Sequence, residues 1–179
     1  MFKASLFVLA FALTVSACAS SAAPTPAAPP GASRLILVSS AFAEGETIPQ
    51  KFTCDGSNLS PALQWSGAPP ATRSFALLME DPDAPLGTFT HWVAFDIPAT
   101  QTEIAEGAME VGVSGRNSSG KTGYMGPCPP SGVHRYIFTL YALDVDSLTL
   151  GEGAAKDQVL AAMQGHVLAQ GSLMGKYGR

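Results

Sequence analysis

Apolar residues fall along this chain in short runs, each closed by glycine or proline, and the spacing turns helical only near the C-terminus. Leu35 to Ser39 predicts a first strand, and Ala62-Leu63-Gln64-Trp65-Ser66 a second, ended by the turn from Gly67 to Pro70. Phe75 to Met79 is apolar at every position, as in a strand covered on both faces. His91 to Ile97 reads as an alternation, with His91, Val93, Phe95 and Ile97 on one face and Trp92, Ala94 and Asp96 on the other. Arg135 to Leu143, rich in aromatic and β-branched residues, gives the clearest strand signal. Val159, Leu160, Met163, Val167 and Leu168 predict a helix from about Ala154 to Gln170, packed on the edge or mouth of a sheet.

Short strands punctuated by turn residues indicate a mainly β protein, an antiparallel sandwich with a few peripheral helices rather than a doubly wound sheet. Glycine (18) and proline (14) supply that punctuation. Residues 107 to 133 are glycine-rich and polar, too long for a simple connection, and loops of that length are usually functional or disordered.

The N-terminus changes the picture. Lys3, the uncharged apolar stretch Leu6 to Val15, and then Val15-Ser16-Ala17-Cys18 read as a signal peptide over residues 1–17 with Cys18 as an acylated first residue. A membrane-spanning helix would need about 20 apolar residues. Ordinary secretion with cleavage at a nearby alanine is the alternative. After Cys18, residues 19 to 33 hold only Ala, Ser, Pro, Thr and Gly, which cannot bury enough surface to offset ordering entropy. Residues 18–33 therefore read as a lipidated tether, stiffened by its prolines. Residues 34–179 form one domain. The expected address is the cell envelope, facing the periplasm, with Ala19 beside the cysteine favouring the outer membrane and only the lipid touching the bilayer.

Without Lys3 the chain carries nine Lys/Arg against fourteen Asp/Glu, a net charge of −5, and no basic cluster, which argues against nucleic acid as a partner. Cys54 and Cys128 remain after lipidation; in an exported protein such a pair favours a disulfide, with two buried free thiols as the alternative.

Two segments carry the candidate chemistry. Asp81-Pro82-Asp83-Ala84-Pro85 precedes His91, and Gly126-Pro127-Cys128-Pro129-Pro130 precedes His134-Arg135-Tyr136. Each sets a rigid proline-rich corner before a strand that opens on a histidine. Asp81 and Asp83 admit three readings: metal ligation with His91 and His134, orientation of an imidazole, or capping of turn backbone. The metal reading lacks any His-x-x-x-His, Cys-x-x-Cys or His-x-Asp spacing beside it, and no cofactor is expected. By parity, His134 shares a face with Tyr136, Phe138 and Leu140; His166 reads as a surface or packing residue in the helix. A nucleophilic enzyme is the rival class. Ser57, Ser60 or Ser131 with His134 and Asp81 could form a triad, but no Gly-x-Ser-x-Gly is present and an exported cysteine pair is a poor thiolate source.

In combination these residues resemble the phosphatidylethanolamine-binding protein family, specifically its bacterial branch similar to Raf kinase inhibitor protein. The matching pieces run from Phe52-Thr53-Cys54-Asp55-Gly56-Ser57-Asn58-Leu59-Ser60-Pro61 through Trp65-Ser66-Gly67, Asp81 to Pro85 and His91-Trp92 to Gly126 to Pro130 and His134-Arg135-Tyr136. Tyr141-Ala142-Leu143 and Gly165-His166-Val167-Leu168-Ala169 complete them. The resemblance implies two antiparallel sheets and a small pocket for phosphate-like anions or phospholipid head groups. Asp81, His91, Pro129, Pro130, His134 and Tyr136 would line it, and Asp83, Trp92, Gly126 and Cys128 would shape its wall. Only Ser131-Gly132-Val133 separates Pro130 from His134, a short loop for this family, and no motif carries over a C-terminal tyrosine onto Tyr177. The alternative is an interaction module that inhibits a protease or signalling protein through residues 107 to 133. Kinase inhibition itself fits poorly with an extracytoplasmic address.

Overall fold

The computed structural model describes residues 35–179; the expected leader, Cys18 and the tether lie outside the described residues. Two antiparallel sheets face one another. The smaller has three strands in the order β1 (Ile36–Val38), β2 (Leu63–Ser66), β5 (Glu103–Ile104). The larger has five, in the order β6 (Val113–Ser114), β4 (Phe89–Pro98), β3 (Ser74–Asp81), β7 (Val133–Leu143), β8 (Val167–Gly178). Among the described residues no helix is long and apolar enough to cross a membrane.

The five-stranded sheet is covered on both faces, which is why β3 reads as an unbroken apolar run. Phe75, Leu77 and Met79 meet Leu63, Trp65 and Ile104 of the small sheet. Ala76 and Leu78 point the other way, with Val93 and Phe95, and are roofed by Val159, Leu160 and Met163. These last three residues belong to α1 (Lys156–Ala162) and its C-cap. The helix thus lies over a sheet face and not at its edge or mouth.

Two sequence expectations need correction. The helix does not reach Gln170: it stops at Ala162, Gly165 takes a left-handed φ of +81°, and residues 167–178 form β8, the long partner of β7. Alternation along β8 is present, with Val167, Ala169, Gly171, Leu173 and Gly175 inward. Small inward residues hide it, and space dictates them: a Cβ on Gly171 would sit 2.2 Å from the Leu35 carbonyl oxygen. The strip of chain before β2 lies across this strand, with Gly45 N–H donating to Met174 O and Ile48 N–H to Lys176 O, both at 2.8 Å.

The second correction concerns β4, where simple parity fails. Leu77 pairs with Ala94 but Phe75 with Ile97, and Met79 pairs with Trp92 but Glu80 with Thr90. Each step inserts one extra residue into β4, a β-bulge that changes which face the following side chain takes. Ile97 therefore joins Trp92 and Ala94 in the core between the sheets, while Val93 and Phe95 face the helix. At the upper bulge Asp96 adopts a φ of +54°, and its carboxylate accepts from Leu148 N–H (2.8 Å) and Ser147 Oγ (2.6 Å).

Candidate functional site

The lower bulge, at His91, opens the site. Asp81 ends β3, and because Glu80 pairs with Ile137 it emerges beside Tyr136 and His134 at the start of β7. Asp81 is 3 % exposed, and both of its carboxylate oxygens have partners. Oδ1 accepts the Asp83 N–H at 2.8 Å, closing an Asx turn around Pro82, and Oδ2 lies 2.7 Å from His134 Nδ1. Two of the three sequence readings of this aspartate therefore hold together: it caps the turn and it orients an imidazole. Asp83 works differently. Its carboxylate receives Arg135 N–H and Nε at 2.9 Å and Nη2 at 2.6 Å, which clamps the proline corner to β7, and the guanidinium holds its carboxyl well below the usual range.

The extra residue of the bulge turns the His91 ring toward Tyr136 instead of toward Val93 and Phe95. The rings meet edge to face with centroids 5.2 Å apart, and Phe89 packs on the other side at 4.9 Å. His91 Nδ1 donates to the Met125 carbonyl at 2.8 Å. Burial pulls its pKa below 6.5, against the opposing pull of that carbonyl and of Asp81. Tyr136 is wholly buried, its hydroxyl makes no well-formed hydrogen bond, and burial together with the Asp81 charge raises its pKa. Asp81, His91, His134 and Tyr136, far apart in sequence, thus form one cluster on the inner face of the large sheet.

The diproline corner forms the wall. Gly126 N–H donates to Asn58 Oδ1 (2.8 Å), Cys54 N–H to Pro127 O (3.1 Å), and Tyr124 Oη to Phe52 O (2.8 Å). Cys54 and Cys128 are disulfide-bonded with Cα atoms 5.4 Å apart, which excludes the free-thiol alternative in this structure. Pro129 is buried, Pro130 exposed, and Trp92 sits one layer deeper, edge-on to Tyr124 at 5.4 Å. The cluster closes on itself: the His134 side chain is 9 % exposed. Two open recesses, of about 940 and 470 Å³, lie elsewhere, beside β1 and β8 and beside Arg116 and Lys156.

Tyr177 is the residue that sequence reasoning left unassigned. It pairs directly with His134 across β7 and β8, and its hydroxyl donates to Asp55 Oδ2 at 2.8 Å. Arg179 grips the same carboxylate at 2.6 and 2.8 Å and reaches Cys54 Sγ at 2.8 Å. Only recognition of β8 as a strand could have placed Tyr177 there. His166 lies outside the helix, with Nδ1 2.8 Å from Asp144 Oδ1. Among the described residues no serine hydroxyl is recorded on His91 or His134, and no group of three or more His, Cys, Asp or Glu could hold a metal ion.

Comparison with known proteins agrees with this fold. The UPF0098 protein of Methanothermobacter thermautotrophicus is 50 % identical over 149 residues, covering 80 % of this chain and 98 % of the relative. That of Aquifex aeolicus is 46 % identical, covering 83 % and 91 %. Among solved structures, a phosphatidylethanolamine-binding protein homologue of Chlamydia trachomatis superposes with a TM-score of 0.79 at 42 % identity, covering 82 % of this chain and 98 % of that one. Escherichia coli YbcL, a member of the mammalian family, gives 0.77 at 30 % identity, covering 82 % and 99 %. With the sequence model for phosphatidylethanolamine-binding protein matching residues 38–178, the chain belongs to the phosphatidylethanolamine-binding protein family.

Proposed function

We propose that this protein binds small phosphate-bearing anions, free or as phospholipid head groups, through Asp81, His91, His134 and Tyr136, without catalysing their conversion. The carrying observation is the buried Asp81–His134 pair beside a buried tyrosine hydroxyl that lies near Asp81 without a well-formed hydrogen bond. A buried donor left unsatisfied costs about 1–3 kcal/mol, and a ligand oxygen would relieve it. Proline and cystine hold the surrounding loops, so little ordering cost falls on binding. Binding without catalysis is favoured because both remaining cysteines are bridged and neither imidazole is bonded to a hydroxyl nucleophile. Calorimetric titration with phosphorylethanolamine tests the reading. Wild type should bind, and His91→Ala and His134→Ala should each weaken binding at least about tenfold, the scale of one charge-assisted hydrogen bond. Unchanged affinity in both variants would remove it.

We place the domain in the cell envelope on an acylated Cys18. That address rests on this chain's own first residues, because the archaeal relative spends 98 % of its length on the matched domain. Cys18→Ala should release the protein from membranes on fractionation. An interaction with another protein is the second reading, favoured by Met109 and Leu86, which are 91 % and 103 % exposed on loops.

A further inference from the structure

The smaller recess, about 470 Å³, lies on the helix side of the large sheet, and none of Asp81, His91, His134 or Tyr136 lines it. The glycine-rich stretch after β6 builds it. Arg116 bridges to Thr122 on one side and to Ala155 on the other, and its N–H donates to Ala154 O at 2.9 Å, which sets this stretch against the start of α1. Asn117 then closes a turn. Its Oδ1 accepts Ser119 N–H at 3.0 Å, Lys121 N–H at 3.1 Å and Ser119 Oγ at 2.6 Å. Backbone donors can meet only the oxygen of a side-chain amide, so its orientation is settled and the Nδ2 hydrogens point away from the turn.

Donors with nothing to bond converge there. Asn117 is 5 % exposed and Thr90 4 %, and both line the recess. Among the described residues neither Asn117 Nδ2 nor Thr90 Oγ1 makes a recorded hydrogen bond, a costly state for groups so deeply set. Ser118 Oγ accepts Thr90 N–H at 2.8 Å and keeps its own proton to give. Arg116 stands over them. Arg73, Arg135 and Arg179 each grip an aspartate through two nitrogens. Arg116 is exposed and grips none, although Asp157 lines the same recess.

We propose that this recess is a second small-molecule site, independent of the anion-binding reading, for a carboxylate monoanion that carries its own hydroxyl or ammonium donor. The guanidinium fork of Arg116 matches the two carboxylate oxygens, and Asn117 Nδ2 and Thr90 Oγ1 complete the set of donors. Charge selects the monoanion. Lys156 is held by Glu80 at 2.8 Å, so of the charges lining the recess Arg116 is left facing Asp157 alone. A phosphate dianion would bring more negative charge than one guanidinium can offset beside a carboxylate. Asp157 supplies the acceptor for a hydroxyl or ammonium on the ligand, and a bare carboxylate has nothing to offer it. The volume lies within the range of small-molecule pockets.

Proton–nitrogen correlation NMR on the full chain, near neutral pH, reads the site through the Asn117 side-chain amide and the backbone amides of residues 116 to 118. Four probes are titrated: acetate, lactate, alanine and methyl phosphate, the last mostly a dianion at that pH. Lactate or alanine should move these signals, and acetate and methyl phosphate should bind at least about tenfold more weakly. Whichever of the first two binds more tightly tells a hydroxy acid from an amino acid. Arg116→Gln should weaken the favoured probe at least about tenfold and Thr90→Val about threefold, while Asp157→Asn should bring it down to the level of acetate. Arg116→Gln should also leave phosphorylethanolamine affinity at the histidine cluster unchanged, so the two sites fail separately. An Asn117 side-chain amide that stays fixed with all four probes overturns the proposal. So does acetate or methyl phosphate binding as tightly as lactate and alanine, or binding that survives Arg116→Gln.

Discussion

The two ends of the β7–β8 ribbon carry the same contact in different surroundings. At one end Asp81 and His134 meet at 2.7 Å with side chains 4 % and 9 % exposed. At the other, Asp144 and His166 meet at 2.8 Å with both side chains more than two-fifths exposed. Donor, acceptor and ring nitrogen are alike. What differs is the alternative each group has: water can replace either partner at the exposed end, whereas nothing replaces them at the buried end. An aspartate–histidine pair is thus a surface ornament or a fixed part of a site according to what lies over it. Here the covering is the proline corner, the diproline corner and the cystine.

The largest expected effect comes from stripping that cover. Replacing Cys54 and Cys128 by serine together should cost about 4 kcal/mol by chemical denaturation. NMR shifts should change around His134 and stay constant around His166; equal disturbance at both ends would mean the cystine does not distinguish them. Next comes removal of the acceptor. Asp81→Ala should cost about 2–3 kcal/mol through the orphaned imidazole and the lost turn cap, and Asp144→Ala less than about 1 kcal/mol. Similar losses in urea denaturation would erase the contrast. The smallest effect is the pH response of His91. The unfolded chain takes up this proton near pH 6.5 and the folded one only at lower pH, so the unfolded state binds more protons in between. Its contribution is complete above about pH 6.5 and is lost as pH falls through the folded value. His91→Gln should flatten the stability profile over that window, and an unaltered profile would show that His91 titrates normally when folded.

Much of this was legible in the sequence, for reasons specific to each element. β3 and β7 announce themselves because both are packed by large side chains, and the site residues stand out because prolines isolate them. His134 falls on the face that parity predicts, with Tyr136, Phe138 and Leu140, since β7 is regular there. His91 does not, because parity survives only until a bulge, and a bulge leaves no mark in local composition when its extra residue is a histidine. β8 is hidden for the opposite reason: three of its inward positions are Ala169, Gly171 and Gly175, so the apolar residues from Val159 to Leu168 read as one helix. Tyr177, the cross-strand neighbour of His134, vanished with it.

That glycine-lined strand has a bearing on how the molecule assembles. The opening strip, residues 35 to 48, rests on a seat made by residues 171 to 176. Within that strip Ile36–Val38 pair with β2, whereas Gly45 and Ile48 take their backbone partners from β8. The seat thus joins the first described residues to the last strand, and non-local pairing of this kind is slow to form.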